Sequence, residues 1–111
     1  MPVLLQVNFT RSPAHAHAAK TESEKLEAAR RTASQPGLSW KISVQEEGSE
    51  TRGGIYLFED LASAKAYAEG QVAPRLHERG ATDISIRYFN VNEEASRLTR
   101  APLDAPHAVA A

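Results

Sequence analysis

The chain has 111 residues, with thirteen Lys and Arg against fourteen Asp and Glu and no cysteine. That is one small domain, which buries roughly two thirds of the surface its unfolded form exposes, so a partner subunit would add usefully to its core. A formal charge of -1 without a basic block excludes a protein that tracks phosphates, the lack of cysteine excludes a disulfide frame and a thiolate nucleophile, and no apolar run approaches the ~20 residues of a membrane-spanning helix.

Val3 to Phe9 alternates, with Val3, Leu5, Val7 and Phe9 on one side and Leu4, Gln6 and Asn8 on the other, which is the period of a strand. The start, MPVLLQVNF, lacks the charged head and long apolar stretch of an exported leader, so the reading is a cytoplasmic protein with neither a nucleic-acid nor a membrane partner. Ser12-Pro13 breaks the strand, and the small residues from Ala14 to Ala19 lead into a helix over Lys20 to Gln35, closed by Pro36-Gly37. Leu38, Trp40, Ile42 and Val44 fall together against Ser39, Lys41 and Ser43, Glu46 to Arg52 is a polar turn, and Gly53 to Glu59 runs back as the second arm of a hairpin. Asp60 then ends a strand and starts a helix in one residue. Its carboxylate can accept hydrogen bonds from the first free N–H groups, and its charge sits at the positive end of the helix dipole. Leu61, Ala64, Ala68 and Val72 mark that second helix, with a kink or broken turn predicted at Pro74, which has no N–H to donate and crowds the preceding turn. After Gly80, Thr82 to Val91 sets Ile84, Ile86 and Tyr88 against Ser85, Arg87 and Phe89 as a fourth strand. A helical turn from Glu93 to Leu98 ends a single domain of residues 1–98, and residues 99–111, with two prolines and an alanine-rich end, read as a flexible tail.

The order βαββαβ predicts an α+β, ferredoxin-like sandwich, a four-stranded antiparallel sheet with two helices on one face. The second face, read as Leu4, Tyr56, Phe58, Phe89 and Val91 among Gln6, Ser43 and Arg87, is too apolar to stand in water, and a second copy packed sheet to sheet is the simplest cover.

Six of the seven aromatic residues fall on predicted strands, and the alternation puts Phe9, Trp40, Tyr88 and Asn90 on the helix-facing side. The first helix offers that side little bulk, since Leu26 is its one large aliphatic residue and Ala19, Ala29 and Ala33 complete its inner stripe. Either the helix lies very close to the sheet or a cavity remains between them. Buried Trp and Tyr seek a polar partner, which suits a phenolic or quinone-like ligand. His15 and His17 have the spacing of a strand-type metal pair but no third ligand, so no metal site is read here. His77 reads as a charge near a helix C-terminus, Arg87 and Lys41 as strand-borne cations that pair with carboxylates, Glu46, Glu47 and Glu50 as a solvated hairpin tip, and Gly53-Gly54 as a turn or bulge.

The segments LLQVNF from Leu4, PGLSWKISVQEE from Pro36, GGIYLFED from Gly53 and RYFNVNEEASRL from Arg87 resemble, in order and spacing, the YdhR-type mono-oxygenase family of the dimeric α+β barrel superfamily, over roughly Val3 to Leu103. The resemblance implies a homodimer whose two sheets form a barrel, with a small-molecule cavity in each subunit. It also implies kinship with proteins that oxygenate aromatic substrates without metal or flavin, hence no cofactor. Two departures stand out: Gln71 occupies a place where some relatives carry histidine, and the neighbourhood of Pro74 is one residue longer. With that implication, the function read is a cofactor-independent mono-oxygenase of a small aromatic or phenol-like compound. Trp40 and Phe9 would hold the ring, Tyr88, Asn90 and Tyr56 would position its oxygens, and no general base is identified. The alternatives are a non-catalytic, small-molecule-binding or stress-related dimer and a purely structural module.

Overall fold

The alternation of β1 (Val3–Thr10) sets the two faces of the sheet: Val3, Leu5 and Val7 are buried, while Leu4, Gln6 and Asn8 are half-buried. In this computed structural model, which describes residues 1–17 and 21–109, β1 pairs antiparallel with β3 (Thr51–Phe58) on one side and β4 (Thr82–Asn90) on the other. The remaining strand, β2 (Leu38–Gln45), closes the far edge through its hairpin with β3, giving the order β2-β3-β1-β4 of a ferredoxin-like sheet.

Five helices accompany it among the described residues: α1 (Pro13–His17), α2 (Glu22–Ala33), α3 (Leu61–Tyr67), α4 (Ala73–Glu78) and α5 (Glu93–Leu98). The stretch read as a small-residue loop is thus helical over Pro13–His17, while Ala18, Ala19 and Lys20, where the first helix was to begin, lie outside the described residues. Thr21 starts α2 with a capping box: its hydroxyl accepts from the Glu24 N–H while the Glu24 carboxylate accepts from the Thr21 N–H. Asp60 caps α3 as its sequence context predicts, its carboxylate accepting from the Ser63 N–H at 2.8 Å. Between α3 and α4 the backbone makes a wide π turn over Ala68–Val72, where the Ala73 N–H donates to the Ala68 carbonyl five residues back. Pro74 therefore neither breaks nor sharply kinks the helix. The chain takes up the missing N–H by widening one turn, which also accommodates one extra residue.

The core lies between α3, the π turn and α4 on one side and the faces of β1 and β3 on the other. Ala64, Tyr67, Ala68, Val72 and Leu76 meet Val3, Leu5, Val7, Tyr56 and Phe58 there. Four of those helical residues recur at every fourth position, from 64 to 76. In an uninterrupted α-helix that spacing drifts by about 40° per step, because each residue turns about 100°. The π turn absorbs the drift and keeps all four on the sheet.

Two side assignments differ from the sequence reading. Tyr56 and Phe58 face the helices, opposite Leu5 and Val3, and Phe58 is fully buried against Tyr67, so Phe58 is core and not part of the open face. Both alternate sets of β3, Tyr56 with Phe58 and Ile55 with Leu57, are apolar, so alternation could not choose between them; the register with β1 does. The second difference is a bulge in β2. Leu38 pairs with Phe58 on the helix side, but the register shifts before Trp40, which pairs with Leu57 on the opposite face, as Ile42 does with Ile55. Lys41 and Ser43 are thereby turned toward the helices, opposite Tyr56 and Gly54.

The open face carries a row across all four strands, Trp40, Leu57, Leu4 and Phe89, and beside it a second row of Ile42, Ile55, Gln6 and Arg87. Ile42 is 54% exposed and Phe89 37%, with the Arg87 guanidinium 5.1 Å over the Phe89 ring. Beyond α5 the chain returns to the β2 edge. The Trp40 indole N–H donates to the Pro102 carbonyl at 3.0 Å, Ala108 exchanges backbone hydrogen bonds with Gly37 and Leu38, and His107 meets Glu59 at 2.7 Å. Among the described residues no helix is long and apolar enough to cross a membrane.

Candidate functional site

Sequence makes α2 a poor core helix. Its inner positions are alanine and threonine, too short to reach a sheet at ordinary packing distance, and none of its residues is buried; only Ala28 and Thr32 are even half-covered. The helix instead roofs a cavity of about 1140 Å³. Its C-terminal end is tied across the cavity by the Gln71 amide N–H donating to the Gln35 side-chain oxygen at 2.9 Å.

The floor is the helix-facing side of the sheet, with Val7, Phe9, Tyr56, Lys41 and Ser43, and Tyr67 and Gln71 close one wall. Gly54 is part of this construction. A Cβ there would come within 2.8 Å of Lys41 and 2.9 Å of the Tyr56 ring, so the missing side chain lets the Lys41 Nζ sit 5.2 Å over that ring. At Gly53 a Cβ would collide with the Val7 carbonyl. The glycine pair permits close approach within a strand and is not a turn.

Of the five residues singled out from sequence, Phe9, Trp40 and Tyr56 line the cavity, whereas Tyr88 and Asn90 do not. Trp40 reaches it from the bulged strand, its N–H engaged by the Pro102 carbonyl. Tyr88 packs at the edge of the core with Lys65 6.0 Å over its ring, and its hydroxyl is buried with no hydrogen-bond partner among the described residues. Burial, helped by the Glu69 charge, raises the pKa of that phenol. Asn90 is exposed at the end of β4, opposite Val3.

Tyr56 is edge-on to Tyr67 at 5.5 Å. Burial first, and the Tyr67 hydroxyl second, push the Tyr56 phenol well above its ordinary pKa, against a smaller opposing pull from the Arg75 guanidinium. A phenol so held is a hydrogen-bond donor at any ordinary pH and not a base. The sequence reading missed Tyr67, Arg75 and the cavity role of His15. Tyr67 could have been found from its place three residues after Ala64, on the same helix face. His15 had been weighed as a metal ligand. Its ring lies parallel to Phe9, interplanar angle 5° and centroids 6.3 Å apart, and its Nε2 is 3.3 Å from Arg79 Nη1. The side chain of His17 lies outside the described residues, among which no group of three or more His, Asp or Glu could hold a metal ion. His77 is exposed in the last turn of α4, and Arg87 is on the open face, away from the cavity.

Residues 4–102 match the model of the family described as "Putative mono-oxygenase ydhR". The chain belongs to that family. A search of curated proteins found no match. Among solved structures, this ydhR-family chain is similar to a "putative antibiotic biosynthesis monooxygenase" from Deinococcus radiodurans, with TM-score 0.61 and 14% identity over 81% of this chain and 92% of that one. It is similar to a protein of unknown function from Nitrosomonas europaea, with TM-score 0.60 and 21% identity over 82% and 89% of the two chains. A third neighbour is SnoaB, a cofactor-independent oxygenase from Streptomyces nogalater, with TM-score 0.58 and 19% identity over 82% and 93%. At these identities the likeness is one of fold. In the ydhR-family chain itself, the cavity offers aromatic walls in Phe9, Tyr56 and Tyr67, a hydrogen-bond donor in the Tyr56 hydroxyl, and an imidazole beside a guanidinium at its rim.

Proposed function

We propose that the protein is a homodimeric, cofactor-independent mono-oxygenase that takes a small, electron-rich aromatic or phenol-like compound into the cavity beneath α2. The observation that carries this reading is a cavity of about 1140 Å³ walled by Phe9, Tyr56, Tyr67 and Trp40 in a chain of a mono-oxygenase family. Small-molecule sites occupy ~300–1,000 Å³, so a fused-ring compound has room. The chemistry rests on the substrate. An activated ring methylene, once deprotonated, passes electrons to oxygen; one oxygen atom ends as the ring carbonyl, the other leaves as water with the two methylene hydrogens, and no outside reductant is consumed. The protein supplies a water-poor pocket, orientation, and a hydrogen bond from Tyr56 to the developing anion. His15 is the cavity group with the chemistry of a proton acceptor.

The homodimer is part of the same reading. The row Trp40, Leu57, Leu4 and Phe89, with half-exposed Ile42 beside it, gives the open face the apolar centre that a two-fold interface requires, and a standard interface buries on the order of 1,600 Å². Ile42→Glu and Phe89→Glu place a charge in that contact, and sedimentation of these variants should show dissociation. A stable wild-type monomer at micromolar concentration would remove the dimer from the reading.

Oxygen uptake by metal-free protein, measured across a panel of phenols, anthrones and quinols, tests the activity. Turnover that survives a chelator supports the proposal. Saturable binding without oxygen uptake favours the non-catalytic binding dimer, and neither binding nor uptake leaves a structural module.

A further inference from the structure

The cavity is charged in a way the whole chain is not. Six of the thirteen Lys and Arg line it, namely Arg11, Lys25, Arg31, Lys41, Arg75 and Arg79, whereas of the fourteen Asp and Glu only Glu78 does so among the described residues. Two of the six are answered already: Arg11 pairs with Glu50 at 2.8 Å and Lys25 with Glu22 at 3.5 Å. Arg31, Arg75 and Arg79 have no carboxylate within ion-pair distance among the described residues. Glu78 is exposed and pairs with none of these three.

Arg75 and Arg79 stand four residues apart, the spacing that sets two side chains on one helix face, and each ends an aromatic wall. Arg79 touches His15, which lies over Phe9. Arg75 acts on Tyr56, which packs against Tyr67. Unneutralised cations at the mouth of a cleft repel one another and concentrate anions from solution.

We propose that the ligand is an anionic aromatic compound, a fused-ring molecule bearing a carboxylate, with its rings among Phe9, Tyr56 and Tyr67 and its carboxylate taken by Arg75 and Arg79. The inference rests on the cavity reading above and names the class of compound that fills it. A carboxylate fits better than a phenolate alone, since it is charged throughout the neutral range whereas a phenol titrates near ~10. Two planar guanidinium forks also match carboxylate geometry through paired, charge-assisted hydrogen bonds.

Binding of anthracene carboxylate and of the uncharged, equally sized anthracene carboxamide, followed by probe fluorescence with the full-length protein, tests it. The carboxylate should bind about tenfold tighter or more, the worth of a charge-assisted hydrogen bond, and the preference should shrink as salt rises. The Arg75→Gln, Arg79→Gln double variant should bind both probes alike. Equal binding of the two probes by the unaltered protein overturns the proposal while leaving the cavity reading intact, and binding of neither overturns both. Should the double variant not fold, the salt series on the unaltered protein decides, because a carboxylate preference that ignores salt also overturns the proposal.

Discussion

The two halves of the helical layer meet the same sheet and treat it differently. Residues 64 to 76 of the second half bring Ala64, Tyr67, Ala68, Val72 and Leu76 down onto it, none more than 7% exposed, while α2 buries nothing and leaves Leu26 55% exposed. Both halves are rich in alanine, so the difference is not in the helices alone. It lies in what the sheet offers. Beneath α3 stand Phe58, Tyr56 and Leu5; beneath α2 the bulge between Leu38 and Trp40 has turned Trp40 and Ile42 to the other face and presents Lys41 and Ser43 instead. Without that bulge, a tryptophan and an isoleucine would fill the space that is now a cavity. One irregular residue pair in an edge strand thus makes the pocket and, by the same turn, supplies the apolar row on the open face.

The contrast can be broken most strongly at Phe58. Phe58→Ala should cost about 3–5 kcal/mol in urea unfolding, as for other fully buried aromatic residues, whereas Leu26→Ala should stay within about 0.5 kcal/mol. Adding bulk sharpens the same contrast. Ala64→Leu should overpack a closed interface at a cost of roughly 1–3 kcal/mol, while Ala29→Leu, facing open volume, should leave the thermal midpoint nearly unchanged and weaken ligand binding. Thr21→Ala removes the capping box of a helix that little else holds, so about 1 kcal/mol of stability should be lost, with hydrogen exchange accelerating in α2 ahead of α3. The smallest effect belongs to Asp60. The Ser63 N–H holds its carboxyl below the ordinary value of 3.8, so its contribution is fully present above that value and fades as pH falls through the lower folded value. Asp60→Asn should flatten that acid limb of the melting curve and leave stability near neutral pH almost unaltered.

Much of this was legible in the sequence because local pattern and tertiary role coincided. Alternation from Val3 to Phe9, the Asp60 junction and the return strand after Gly80 each have a single reading, and together they fix the βαββαβ order. The alanine stripe of α2 posed the choice between close packing and a cavity. What could not be read was the side on which a residue lies when both sides are apolar, as at Tyr56 and Ile55, or when a one-residue bulge inverts an otherwise regular alternation, as at Trp40. Tyr67 and Arg75 went unnoticed for a related reason. Attention to strand aromatics left out the helix that faces them, although the fourfold recurrence of Ala64, Ala68, Val72 and Leu76 carried the signal for both the buried face and the wide turn.

That wide turn makes chain length a determinant of selectivity. Gly70 sits within it, exposed and with open space around it. Deleting this one residue would let the segment relax to an unbroken α-helix and swing everything after it by about 100°, rather more than a quarter of a revolution. Arg75 and Arg79 would leave the mouth of the cavity together, and Leu76 would leave the core. A single deletion, with no change of side-chain chemistry, would convert a cationic entrance into a neutral one, so members of this family that differ by one residue here are expected to sort their ligands by charge.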